Sequence, residues 1–189
     1  MEYSQRVGIP FVRTGSSEVF KAMGFDPKAD YDFKIRMLIQ NEILDAADKL
    51  WRAHTSEFIT DRTPIDMLAY TMADIQRENL NKDDEAIFLA YQRKCIEVIN
   101  RQFSILIGIQ PGIKLVDAEG KAPINEAYIE HINALVVGLI SDGRIKCSKF
   151  VMSRATTTIE GRLSVMDQAI ERMWGRHQDQ FVSGNHAVH

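Results

Sequence analysis

The sequence predicts an α/β fold, a parallel sheet flanked by helices. Three observations carry that expectation. Short apolar runs alternate with long amphipathic ones, the pattern of strand-helix-strand units. The run Ser104-Ile-Leu-Ile-Gly-Ile109 is nearly continuous in apolar residues, as expected of a strand covered on both faces. From Tyr31 to Arg52 apolar residues recur near helical spacing with no Gly or Pro between them.

Each element follows from local chemistry. Gly8-Ile-Pro-Phe-Val-Arg13 reads as a first strand, with Pro10 near its beginning where a missing N–H is tolerated. Thr14-Gly15-Ser16-Ser17 is then a turn that can cap a short helix from Glu18 to Met23, and Gly24 and Pro27 punctuate. The helix of Tyr31 to Arg52 follows, with Phe33, Met37, Leu38, Ile43, Leu44, Ala47 and Leu50-Trp51 as its apolar set. Glu57-Phe-Ile-Thr-Asp61 reads as a short strand ending in a carboxylate. Arg62-Thr63-Pro64 leads from it into a helix from Ile65 to Gln76, Pro64 suiting its first turn. Asp83 to Gln102 is a second long helix, with acids at its start. After the strand Ser104–Ile109 comes a Gly-, Pro- and charge-rich loop, Gln110 to Ile124. Asn125 caps a helix through Ile140, Asp142-Gly143 ends it, Lys149-Phe-Val-Met-Ser153 is the fourth strand, and the last helix runs from Thr158 to Arg176.

The chain of 189 residues is expected to form one domain over 1–178 with a flexible tail at 179–189, whose His186 and His189 are not read as ligands. A net charge of −3 gives no broad basic footprint, so nucleic acid is not an expected partner. No apolar run approaches the ~20 residues of a membrane helix, and Met1–Val12 lacks the layout of a signal peptide, so no membrane partner and a cytoplasmic location are expected. Cys95 and Cys147 are far apart with no CxxC, and read as reduced, buried thiols. Met37, Met67, Met72, Met166 and Met173 fall on helical core positions and read as filling.

The chemistry concentrates in Glu57-Phe-Ile-Thr-Asp-Arg-Thr-Pro-Ile-Asp66. Ligands of open α/β sheets bind beyond the carboxyl ends of the strands, and here an acid and a base stand together at such an end. Asp61 there can hold Mg²⁺ through water or accept a hydroxyl proton, while Arg62 offers a planar fork to phosphate oxygens. The same dipeptide also fits a solvated turn with Asp61 near a helix N-terminus. His54, Glu57 and His131 share no spacing that fixes them on one face, and are read as solvated or capping rather than metal-binding. No G-x-S-x-G is present for a nucleophile elbow.

With VGIPFVRTGSSEVF, FITDRTPIDMLAY and AEGKAPINEAYIEHINALV as the segments that carry it, the chain over residues 1 to 175 resembles the P-loop nucleoside and nucleotide kinases, including ribosylnicotinamide kinase-like and phage deoxynucleotide kinase-like ATP-binding proteins. The resemblance implies a nucleotide kinase-like P-loop NTPase fold and phosphate transfer from ATP, with Mg²⁺, to a small nucleoside or nucleotide. It implies that Asp61 assists Mg²⁺ or the acceptor hydroxyl and that Arg62 touches a phosphate. Arg13 and Thr14 would face the phosphoryl acceptor, with Asp66 nearby. Asp117-Ala-Glu-Gly-Lys121 would be a lid in which Lys121 neutralises the transferring phosphate, where the family usually relies on Arg. Ser153, Arg154 and Thr156 would lie near the adenine, although Thr156 and Asp117 are better read as solvated.

One departure is at the front. No G-x-x-x-x-G-K-[ST] occurs in the sequence, and no Gly-rich turn joins a strand to a helix before Gly8. In the family that loop and its strand come first, so the expectation is a fold lacking its first strand and P-loop. Met1–Val7 would be the last turns of the helix that follows the loop, and ATP and Mg²⁺ binding would be conditional on an upstream P-loop. The alternative is a shortened, non-catalytic relative that binds a phosphorylated ligand or a protein partner. The acceptor's identity and the oligomeric state stay open at this level.

Overall fold

The structure is a computed structural model that describes residues 1–75, 79–116 and 124–184, with 176–184 described by backbone alone. The protein is mixed α/β, with a small two-stranded parallel sheet flanked by helices. It comprises two compact units, Met1–Phe103 with Asp142–Ile145, and Ser104–Ser141 with Lys146–His189, where sequence reasoning treats 1–178 as one domain.

The first unit is built on helices. Helix α1 (Glu2–Val7) occupies the segment expected to be helical, and closes at Gly8, whose φ of 72° is the left-handed conformation glycine adopts without penalty. Gly8 therefore ends a helix instead of opening a strand. The expected strands Gly8–Arg13 and Glu57–Asp61 reduce to a single parallel bridge, Phe11↔Ile59, closed by Val12 N–H to the Ile59 carbonyl at 2.7 Å and Ile59 N–H to the Pro10 carbonyl at 2.8 Å. On one side Pro10 has no N–H to extend a ladder. On the other, the Thr60 hydroxyl bonds the Arg62 carbonyl at 3.2 Å and turns the chain within two residues.

Helix α2 (Ser16–Met23) starts two residues earlier than expected and closes at Gly24, φ 75°. Helix α3 (Phe33–Arg52) is capped by Asp32, whose carboxylate accepts from Ile35 N–H at 2.9 Å. Helix α4 (Pro64–Ile75) keeps Pro64 at its first position, and helix α5 (Lys82–Gln102) is capped by Asn81, ahead of the acids that marked its start in the sequence. Helix α3 packs on α2, α4 and α5, and α4 on α5. Met37, Leu44 and Trp51 of α3, Leu68 of α4 and Tyr91, Cys95 and Ile99 of α5 form the core. Trp51, Phe103 and Phe58 stack edge to face in succession, with centroids 5.0 Å and 6.0 Å apart.

Polar clamps fix α3 against α5. Lys94 reaches Asp45 at 2.7 Å and Asn41 at 3.3 Å. Asp48 accepts from Arg101 at 2.8 Å and Gln102 at 2.7 Å across the interface, and from Arg52 at 2.8 Å on its own helix. Burial works to raise the Asp48 pKa, but these donors outweigh it and hold the carboxyl below its ordinary range.

The second unit is a strand-helix-strand-helix arrangement. Strand β1 (Ile105–Ile109) pairs in parallel with β2 (Ser148–Met152), in the register Ile105↔Ser148 through Ile109↔Met152. Helix α6 (Glu126–Ile140), capped by Asn125 as expected, packs on β1, while α7 (Ile159–Gly184) packs on both strands. Among the described residues the sheet has two strands where the sequence suggested four. Helix α7 runs past the expected end at Arg176 and into the expected tail; residues 185–189 lie outside the described residues. Gly108 lets α6 approach the sheet, because a Cβ there would stand 2.6 Å from Ile140 Cδ1. Among the described residues no helix is long and apolar enough to cross a membrane.

Candidate functional site

In the first unit the parallel bridge sets the geometry. Arg13 and Asp61 each follow a bridged residue by two positions, so the Val12-Arg13-Thr14 and Thr60-Asp61-Arg62 segments leave the pairing in the same direction at the same end. Arg13 and Asp61 are exposed, and among the described residues neither side chain makes a hydrogen bond or an ion pair. Thr14 is half-buried.

Arg62 is held more firmly. Its guanidinium carbon lies 5.7 Å from the centroid of the Tyr70 ring, two turns along α4, and its Nη1 is 3.5 Å from Asp66 Oδ1. Partial burial works to lower its pKa, but the neighbouring Tyr70 and the negative charges of Asp66 and Asp61 outweigh it and raise it above the ordinary value. The fork is thus positioned and still half-exposed, with 50% of its side-chain surface open.

Asp66 has a different occupation. Its Oδ2 accepts from Thr63 N–H at 2.9 Å and from the Thr63 hydroxyl at 3.1 Å, while Ile65 N–H reaches Thr63 Oγ1 at 3.3 Å. Thr63-Pro-Ile-Asp66 is therefore a capping box at the start of α4, with Oδ1 turned to Arg62. The T-x-x-D signal was present in the sequence. Asp66 thus orients Arg62 and closes the helix end, and both its oxygens are engaged.

Ser153 and Arg154 lie in the second unit, in the turn after β2. Arg154 Nη1 and Nη2 grip Glu130 of α6 at 2.6 Å and 2.5 Å, and its Nε is 3.4 Å from Gln110 Oε1. Hydrogen bonding to Arg154 lowers the Glu130 pKa, and the same bonds raise that of Arg154. Sequence reasoning did not single out Glu130, which stands 24 residues before its partner. Lys121 and the expected lid Asp117–Lys121 fall outside the described residues.

Among the described residues no group of three or more His, Cys, Asp or Glu is arranged to hold a metal ion. His54 packs on Phe58 at 5.9 Å between centroids, and His131 is exposed on α6. A cleft of about 230 Å³ in the first unit is lined by Phe20, Tyr31, Arg36, Gln40 and Asp74 among others, and includes none of the sequence-predicted site residues. Cys95 is buried and its thiol is pushed up to about 12 by that burial, whereas Cys147 is half-buried and raised for the same reason.

No family model, no curated protein and no solved structure matches this chain.

Proposed function

We propose that the chain is a nucleotide kinase-like protein of the P-loop NTPase class, whose Arg13, Thr14, Asp61 and Arg62 recognise the phosphate and nearby hydroxyl of a small nucleoside-type ligand. The observation that carries this reading is the Phe11↔Ile59 bridge. It turns two separate segments into one end bearing two arginines and the Asp61 carboxylate, which makes no hydrogen bond among the described residues and acts on Arg62 through its charge alone. Ligand sites of parallel α/β folds form at such carboxyl ends. Arg62, stacked on Tyr70 and oriented by Asp66, supplies a preset fork for phosphate oxygens, and Arg13 adds a second cation. Asp61 can accept a hydroxyl proton from the ligand.

Phosphate transfer from ATP needs more than these residues. The β- and γ-phosphates of ATP are cradled by successive backbone amides of a Gly-rich loop, and the sequence holds no G-x-x-x-x-G-K-[ST]. Asp61 alone would hold Mg²⁺ only through water, with the substrate phosphates as the main ligands. The residues described do not fit ATP and Mg²⁺ by themselves and support no transfer step. The supported role is the acceptor side: binding and orienting a phosphorylated small molecule.

Calorimetric titration of the purified chain with a nucleoside monophosphate, alongside MgATP, tests this. The monophosphate should bind, and Arg62→Gln and Arg13→Gln should each weaken it about tenfold or more, the order expected on losing a charge-assisted phosphate contact. Equal affinity in wild type and both variants, or no binding to wild type, would overturn the reading.

A further inference from the structure

The second unit holds a bidentate arginine–carboxylate pair beside the ends of its two strands. Its two strands end together, at Ile109 and Met152 in register, and the chain leaves them into Gln110–Gly112 and Ser153–Thr158. Arg154 stands in the second of these segments, and both terminal nitrogens of its fork are taken by one carboxylate, Glu130, in the bidentate manner that suits a phosphate equally well.

The backbone of that turn has hydrogen bonds of its own, apart from the pair. Thr156 N–H bonds the Ser153 carbonyl at 3.0 Å, and Ala155 N–H bonds the Ser153 hydroxyl at 3.2 Å. Arg162 Nε reaches back to the Thr156 carbonyl at 3.0 Å, and Thr158 Oγ1 takes the Gly161 N–H at 3.1 Å where α7 begins. On the opposite side the Arg154 carbonyl presses on Gly112, where a Cβ would stand 2.1 Å from it. Glu130 and Arg154, by contrast, keep 51% and 45% of their side-chain surfaces exposed. Exposed pairs contribute little net free energy, so exchanging this carboxylate for a ligand's oxyanion costs little.

We propose that Glu130 is an internal latch on a phosphate-binding site at the carboxyl ends of β1 and β2. Its carboxylate holds the Arg154 fork until a phosphate group displaces it. Arg154 then receives the phosphate between the Ser153–Thr158 turn and the Gln110 side chain, which is itself anchored to the Met152 carbonyl at 3.2 Å. The hydrogen bonds of the turn hold the backbone that carries the fork while the partner changes.

The test is an NMR titration of the full chain with inorganic phosphate, following the backbone amides of Ser153 to Thr158. Glu130→Gln should bind phosphate about two- to five-fold more tightly than wild type, the range spanned by exposed ion pairs. Adding Arg154→Gln should abolish the shifts. Equal affinity in wild type and Glu130→Gln, or shifts that survive the loss of Arg154, would overturn the proposal. So would a Glu130→Gln protein whose turn amides collapse before any phosphate is added, because the pair would then be a structural tie; Glu130→Asp, which keeps the charge and shortens the reach, should lie between wild type and Glu130→Gln.

Discussion

Replacing Asp48 probes how the first unit holds α3 against α5. Its side chain is 12% exposed, and its two oxygens take three donors: Arg52 at 2.8 Å, Arg101 at 2.8 Å and Gln102 at 2.7 Å. The Arg52 contact is an i,i+4 pair on one helix, worth about 0.3–0.5 kcal/mol. The Arg101 and Gln102 contacts cross between helices to a largely buried carboxylate, and each contributes about 1 kcal/mol, below the ~1.5–3 usual for charged hydrogen bonds because Arg101 is 44% exposed and Gln102 only partly buried, so both keep water. Arg52 and Arg101 are 57% and 44% exposed and rehydrate once the carboxylate is gone, which limits the penalty for stranded partners. Asp48→Ala should therefore cost about 2–3 kcal/mol and lower the melting temperature by roughly 4–12 °C. Asp48→Asn, which keeps one acceptor, should cost about 1–2 kcal/mol.

The pH dependence has a definite sign. The folded-state pKa of Asp48 is depressed, so its contribution is present above the unfolded value near ~3.9 and is lost as pH falls through the folded value. The difference between wild type and Asp48→Asn should be constant from pH 7 to about 5 and narrow below about 4. Urea unfolding of Trp174→Phe backgrounds, followed by the fluorescence of the remaining Trp51, fully buried on the same helix, reads this directly. A loss under about 0.5 kcal/mol for Asp48→Ala, or an Asn penalty as large at pH 3 as at pH 7, would refute the assignment of stability to these charged contacts.

Two further perturbations separate rigid from compliant surroundings. Gly112→Ala should destabilise by about 1–3 kcal/mol, because the added Cβ meets the Arg154 backbone carbonyl at 2.1 Å and a backbone must move. Gly108→Ala should stay within about 1 kcal/mol of wild type, since its obstacle is the end of the Ile140 side chain, which can turn away; chemical denaturation of both variants checks the order, and equal losses would contradict it. With a chromogenic disulfide reagent at pH 8, Cys147 should react in the native protein and Cys95 only on unfolding. At a pKa of about 12, roughly one Cys95 in ten thousand is thiolate at that pH, and its sulfur is also shut from reagent. Two fast-reacting thiols in the native state would contradict the placement of Cys95.

What was legible in the sequence depended on the range of the interaction. Helices α3 and α5 and strand β1 were readable because their apolar periods run uninterrupted and their burial is decided by their own residues. The segments around Phe11 and Ile59 carried the same apolar look but became one bridge. Strand character there turned on a missing proline N–H and a threonine hydroxyl that bends the chain, both stronger locally than a preference for extended backbone. Gly8 and Asn81 mark the same limit at helix ends, where one capping residue outweighs the charge pattern around it.

The same division runs through the site residues. Asp61, Arg62 and Arg13 were visible because they follow apolar runs in the sequence, and the bridge gives their segments a shared end. That Asp66 is drawn into a capping box was also local, written in Thr63-Pro-Ile-Asp66 itself, and it turns a candidate ligand contact into a positioning group for Arg62. Glu130 stands 24 residues from Arg154 and Arg101 stands 53 from Asp48, and no local spacing announces either pair, although the Asp48–Arg52 pair is local. A charged residue read from sequence is therefore only an offer of charge. Whether that charge is available depends on which distant carboxylate or guanidinium the fold delivers to it. By that criterion Arg13 has its charge in hand and Asp61 shares its own with Arg62, whereas the Arg154 fork is taken by Glu130, and the E130Q titration distinguishes a fork that can be freed from one that is only a brace.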